Sequence, residues 1–244
     1  MNYRDVLCEL QSQADPKQAG IYRRFFKTGP GEYGEGDQFY GVKVPFQRTI
    51  AKKFNQLGLK DIRKLLASEY HEARNTGVLI LIGQYESGGD HEKERIYRFY
   101  MHHRAALNNW DLIDLSAPKI AGAYLYNNDR SILFSLAQSG NRWERRIAIM
   151  ATFFFIRKRD FNDTLNLARI LLHDPEDLIH KAVGWMLREI GKCDRKTEEA
   201  FLRPVYPQMP RTMLRYAIEK FPESVRRNYL AGKIGSDTER HSDY

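Results

Sequence analysis

Apolar residues recur along this chain at three- and four-residue spacing, in stretches parted by short polar breaks, which is the pattern of helices burying one face or all faces. From Asp61 onward the breaks fall at Ser87-Gly88-Gly89-Asp90, Asn127-Asn128-Asp129, Ser139-Gly140-Asn141 and His173-Asp174-Pro175. Upstream, residues 2–27 have helical character with a break at Asp15-Pro16, where proline suits a first helical position that needs no donor. Val44-Pro45 restarts a helix in the same way, with Arg48, Lys52 and Lys53 on it. No convincing segment alternates with period two, so the expected class is all-α. The longest apolar run, Ile147 to Ile156, is about half of the ~20 residues a membrane span demands, and reads as a buried helix.

The helical stretches resemble one another. Apolar segments opening on a polar or charged residue begin at Arg74, Asp114, Arg146, Lys181 and Arg215, with separations of 40, 32, 35 and 34 residues. That is the size of a two-helix repeat, somewhat shorter than the HEAT period. The expected architecture is a curved solenoid of HEAT-like antiparallel helix pairs with a concave basic groove. It forms a single domain over residues 1–233, followed by a polar, disordered tail over 234–244. Corresponding helices would line one side of the curve, making Arg146, Lys181 and Arg215 a basic stripe with Asp114 its one acidic member.

Charge supports that picture. The net charge of +8 is concentrated: residues 141–233 carry 19 Lys and Arg against 12 Asp and Glu, the remainder 20 against 19. A basic half beside a neutral half points to a polyanion, most simply nucleic acid; a solvated basic surface with no partner is the plainer alternative. Cys8 and Cys193 are far apart and suggest reduced thiols, with neither a disulfide scaffold nor a zinc site. The first residues lack the regions of a signal peptide, so a soluble, cytoplasmic, monomeric protein without membrane association is expected.

The chemistry that stands out lies in Asn108-Asn109-Trp110-Asp111-Leu112-Ile113-Asp114. Asn108 or Asn109 can cap a helix whose first turn carries Trp110 and Asp111, and Trp110 and Asp114, four residues apart, then project from one face. A π-face beside a carboxylate suits a cationic or oxocarbenium-like group. Taken alone, however, a tryptophan near a helix start is more often a core anchor and an early Asp more often a capping aid. A carboxylate kept among cations repels phosphate, so Asp114 either pairs with Arg146 or does chemistry. Elsewhere, Gly29, Gly31 and Gly34 match GxGxxG, but no strand precedes them and Pro30, Glu32 and Glu35 disfavour a pyrophosphate cradle. That loop is either functional or simply mobile. Histidines show no metal-ligand spacing, and neither metal nor cofactor is expected.

Asn109-Trp110-Asp111-Leu112-Ile113-Asp114, Trp143-Glu144-Arg145-Arg146-Ile147-Ala148-Ile149, Ile179 through Glu189 and Arg211-Thr212-Met213-Leu214-Arg215-Tyr216-Ala217 together resemble the AlkD-like DNA alkylation repair family, HEAT-like-repeat DNA glycosylases. The similarity extends over nearly all of residues 2–232. It implies a monofunctional glycosylase that hydrolyses the N-glycosidic bond of cationic N3- or N7-alkylated purines in double-stranded DNA, without extruding the lesion. The family's catalytic aspartate falls on Asp114, its active-site tryptophans on Trp110 and Trp185, and its paired arginine on Arg146. Arg145, Lys181, Arg188, Arg211 and Arg215 are the expected DNA-binding residues. The Gly29–Asp37 loop looks longer than its counterpart in better-known members, which leaves substrate range open. Alternatives of other classes are a non-catalytic solenoid that binds damaged or structured DNA, and a protein-binding HEAT scaffold.

Overall fold

A helix that is apolar over most of its surface must be covered on every side and an amphipathic one on a single face, and the two halves of this molecule are built on one of each. The structure is a computed structural model that describes residues 1–234; the expected polar tail, Ile234 excepted, lies outside the described residues. Regular structure among the described residues is helical, apart from a single parallel bridge between Gln38 and Tyr70. The chain packs as two compact units, Met1–Leu125 and Tyr126 onward.

In the first unit the helices are α1 (Tyr3–Ser12), α2 (Pro16–Phe25), α3 (Val44–Lys53), α4 (Leu59–Leu66), α5 (His71–Ser87), α6 (Asp90–His102), α7 (Trp110–Ser116) and α8 (Ala123–Leu125). The Asp15 carboxylate caps α2 by accepting from the amides of Lys17 and Gln18, with Pro16 at N1 as expected. The 17-residue α5 is the centre: Val78, Ile80 and Leu81 are fully buried, and α1, α3, α4, α6 and α7 pack around it. Burying each such side chain contributes roughly 1.5–3 kcal/mol before entropy is subtracted.

After α7 the chain passes through a π-helical turn, Pro118–Gly122. The physical reason is local. Pro118 has no N–H to give the Asp114 carbonyl four residues back, and past it an i→i−5 bond runs from Gly122 to the Ala117 carbonyl at 2.8 Å. Such turns interrupt helices most often where function needs irregular backbone. None of the five segment starts seen in the sequence opens a helix: Arg74, Asp114, Arg146, Lys181 and Arg215 each lie inside one.

The second unit comprises α9 (Ser131–Ala137), α10 (Arg142–Ala151), α11 (Phe153–Arg157), α12 (Asn162–Ile170), α13 (Asp177–Cys193), α14 (Arg195–Val205), α15 (Arg211–Ala217) and α16 (Glu223–Leu230). The apolar run 147–156 is buried except at half-buried Phe153 and Phe154 and is two helices: the Thr152 hydroxyl donates to the Ile149 carbonyl at 2.7 Å and the chain turns there. The 17-residue α13 buries Ile179, Ala182, Val183, Met186, Leu187 and Ile190 against α10, α14 and α15. Gly184 is what admits α15, since a Cβ there would stand 2.4 Å from the Met213 carbonyl oxygen and 2.6 Å from the Tyr216 Cβ. No helix among the described residues is long and apolar enough to cross a membrane.

Candidate nucleic-acid processing site

Asn109 is the N-cap of α7, its side-chain oxygen accepting the Trp110 amide at 2.8 Å. This fixes Trp110 in the first turn and Asp114 one turn later on the same face. The indole of Trp110 is half-buried in an aromatic cluster. It stacks on Phe26 (5.5 Å between centroids, 29° between planes), and Phe25, although 59% exposed, meets it edge-on at 5.7 Å. Phe26 in turn stacks on Phe39 at 5.3 Å, and both rings pack on the His71 imidazole. The Trp110 N–H donates to the Tyr33 hydroxyl at 3.2 Å. The ring is thus anchored in the core and still reaches the surface.

Asp114 is half-buried and engaged with neighbouring groups. Beneath it Tyr100 is wholly buried, its hydroxyl 3.0 Å from the Ser116 Oγ. Burial first and the Asp114 charge next push the Tyr100 phenol well above its ordinary value, so it stays neutral.

A buried ionic network fastens the start of α7. His71 Nε2 lies 2.7 Å from the Asp111 carboxylate and Nδ1 3.3 Å from that of Asp37. Asp37 also accepts from Arg74 Nη2 at 2.7 Å and from the Asn109 amide at 3.4 Å, while Arg74 Nη1 reaches the carbonyls of Ser68 and Glu69. Burial alone would drive the imidazole pKa down, but Asp111 and Asp37 raise it to about 9, so His71 is an imidazolium at neutral pH. Burial likewise opposes the Asp37 charge, yet hydrogen bonds and charge from His71 and Arg74 hold that carboxyl below its ordinary value. Beside them the Glu72 carboxylate accepts the backbone amides of Tyr40, Gly41 and Val42 at 2.8–3.2 Å. Sequence reasoning missed this group. The signal was present in His71-Glu72-Ala73-Arg74: three ionisable residues opening a helix that is otherwise apolar.

In the second unit, Arg146 is buried on α10 and donates to the Leu178 carbonyl at 2.5 Å. Trp185 on α13 is half-buried, 6.1 Å from Phe153, and its N–H donates to Glu189 at 3.0 Å. The expected DNA-binding residues separate into distinct settings. Arg145 is spent on a bidentate pair with Asp174 (2.5 and 3.2 Å), its side chain only 11% exposed. Lys181 pairs with Asp177 at 2.7 Å and is half-exposed. Arg188 pairs with Glu219 and Glu189. Arg211 donates to the Leu230 carbonyl at 2.8 Å, and Arg215 is exposed. Lys181, Trp185, Arg188 and Lys192 follow at spacings of four, three and four, one stripe along α13 opposite its buried face. The predicted set therefore divides by unit, with Trp110 and Asp114 in the first and Arg146, Trp185 and the cationic residues in the second. Among the described residues, no group of three or more His, Cys, Asp or Glu is placed to hold a metal ion.

Helix packed on helix in repeats of this size makes the chain an all-α protein whose architecture is consistent with a helical solenoid. The model of the DNA alkylation repair enzyme family matches residues 6–221, and the chain belongs to that family. A solved structure, a predicted DNA alkylation repair enzyme from Enterococcus faecalis, is similar in fold, with a TM-score of 0.68 over 86% of this chain and 98% of that one, at 15% identity. No curated protein sequence matches. Family membership supports a role in DNA repair and implies that the protein binds DNA.

Proposed function

We propose that the protein is a monofunctional DNA glycosylase hydrolysing the N-glycosidic bond of cationic N3- or N7-alkylated purines in double-stranded DNA. The observation that carries this reading is the pairing on α7 of a half-buried indole and a half-buried carboxylate one turn apart, on a helix clamped by Asn109 and the His71 imidazolium.

Alkylation at N7 or N3 leaves the purine positively charged, so the C1′–N bond breaks with its electron pair neutralising the base, and no general acid is needed. The sugar acquires oxocarbenium character. The Asp114 carboxylate stabilises that charge and orients the water whose oxygen adds to C1′ and whose proton departs. Trp110 supplies an apolar wall with a π-face toward positive charge. The family resemblance gives Trp185 and Arg146 catalytic parts as well, an apolar ring face and a cation. Lys181, Arg188, Arg211 and Arg215 are assigned to the DNA backbone.

The test is release of 7-methylguanine and 3-methyladenine from methylated duplex DNA by wild type and by Asp114→Asn. The substitution is expected to cost about 10²–10³-fold in rate, as when one preorganised electrostatic group is lost. Equal release by the two proteins removes Asp114 from the mechanism. Salt-sensitive binding without any release would instead make this a non-catalytic DNA-binding protein.

A further inference from the structure

The glycine-rich segment of residues 28–37 takes no part in the chemistry just described, yet its conformation is closely specified. The Gly29 amide donates to the Glu32 carboxylate at 2.8 Å, the Gly31 amide to Glu35 at 3.0 Å and the Gly34 amide to the Lys27 carbonyl at 3.0 Å. Gly31 and Gly36 turn the chain with φ of +76° and +85°, values that L side chains rarely adopt. The result brings Tyr33 back over the first unit. Its hydroxyl accepts the Trp110 indole N–H at 3.2 Å and donates to the Phe25 carbonyl at 3.4 Å. At the far end of the segment, Asp37 is held by Arg74, His71 and Asn109. Asn109 caps α7 and His71 holds Asp111 on it, so the loop is fastened to α7 at two places: at the cap and at the indole.

We propose that Tyr33 is a positioning residue for the candidate site, fixing the ring orientation of Trp110 so that its face and the Asp114 carboxylate meet the substrate together. This rests on the glycosylase reading. The argument turns on direction. The stack on Phe26 and the edge contact with Phe25 are dispersion contacts, nearly indifferent to which edge of the indole points where, and the torsion that turns a tryptophan ring is broad and roughly two-fold. The N–H to hydroxyl bond is directional and selects one orientation. The preference it confers is that of one partly buried hydrogen bond, enough to change a productive population several-fold.

The decisive variant is Tyr33→Phe, which keeps the ring and removes only the hydroxyl, examined with ¹⁵N-indole-labelled tryptophan and with Trp110→Phe to assign the signal. The expected result is a shifted Trp110 indole N–H resonance with faster hydrogen exchange, unchanged Trp143 and Trp185 resonances, and an unchanged urea midpoint. Release of 7-methylguanine should fall about three- to tenfold in kcat with KM nearly constant. An unmoved Trp110 resonance overturns the proposal whatever the activity, and so does a moved resonance with unaltered kcat. If the wild type itself releases no base, the glycosylase reading fails separately. Binding of methylated duplex then replaces kcat, with a Kd raised about three- to tenfold in Tyr33→Phe supporting the positioning role and an equal Kd overturning it.

Discussion

The two central helices, α5 in the first unit and α13 in the second, are equal in length and handle charge in opposite ways. α5 opens on His71, Glu72 and Arg74, all buried, and each finds partners inside the unit: His71 and Arg74 on carboxylates, Glu72 on three backbone amides. α13 keeps its cations along one partly exposed stripe, paired with carboxylates at its edge. The contrast teaches what each unit is suited to. Buried ions with directional partners hold a small set of side chains in one geometry, here the start of α7 with Trp110 and Asp114. Cations in partly solvated pairs keep their reach toward a polyanion and can exchange an internal carboxylate for a phosphate.

Four substitutions separate these two ways of handling charge. The largest effect is expected where the second unit departs from its own rule. Arg145 and Asp174 form a pair as buried as those of the first unit, and Arg145→Ala should cost about 3–5 kcal/mol in urea unfolding. A loss of DNA affinity with stability intact would instead place Arg145 among the DNA contacts.

His71 tests the first unit. Its imidazole is raised to about 9 against 6.5 when free, so the stabilisation is fully present below pH 6.5 and is lost as pH rises through 9. The expected loss is about 3 kcal/mol over that window. In His71→Gln the unfolding free energy should be lower at pH 6 and its His-dependent slope between pH 6.5 and 9 should vanish.

Glu198 is the counterexample in the second unit, a carboxyl 1% exposed whose Oε1 has no hydrogen-bond partner. Burial, opposed by Arg195 and Arg188 and aided by Glu199, pushes it up to about 9. A raised carboxyl pKa means the folded state keeps a proton that the unfolded chain gives up. Stability therefore falls as pH rises from about 4.5 through 9, and Glu198→Gln should stabilise the protein at pH 7 by about 1–3 kcal/mol. Because His71 and Glu198 both lower stability toward alkaline pH, the two single variants and their double are needed to apportion the slope. The smallest effect belongs to exposed Arg215: Arg215→Ala should leave unfolding unchanged and reduce the salt slope of DNA binding by about one.

The helical class, an asparagine cap at Asn108 or Asn109, the proline starts of α2 and α3 and the same-face relation of Trp110 and Asp114 were legible in the sequence. Each depends on residues within one or two turns of one another, and local sterics and hydrogen bonding act at that range. The break at Thr152 was hidden because helix periodicity continues across it. The π turn had a readable cause in Pro118, but the proline by itself does not say whether a helix ends or widens.

What sequence alone determined, then, is the helical class and the aromatic and charged residue types available to a site. Tertiary structure decided which of those residues are held and by what. His71 joins Asp37, 34 residues before it, to Asp111, 40 residues after it, and Tyr33 reaches Trp110 across 77 residues. Tertiary packing also gave Arg145 and Arg146, adjacent in the chain, different partners, a carboxylate for one and a carbonyl for the other. Such pairings depend on packing between distant segments and on which ions burial leaves a partner for, and periodicity along a chain carries no record of either.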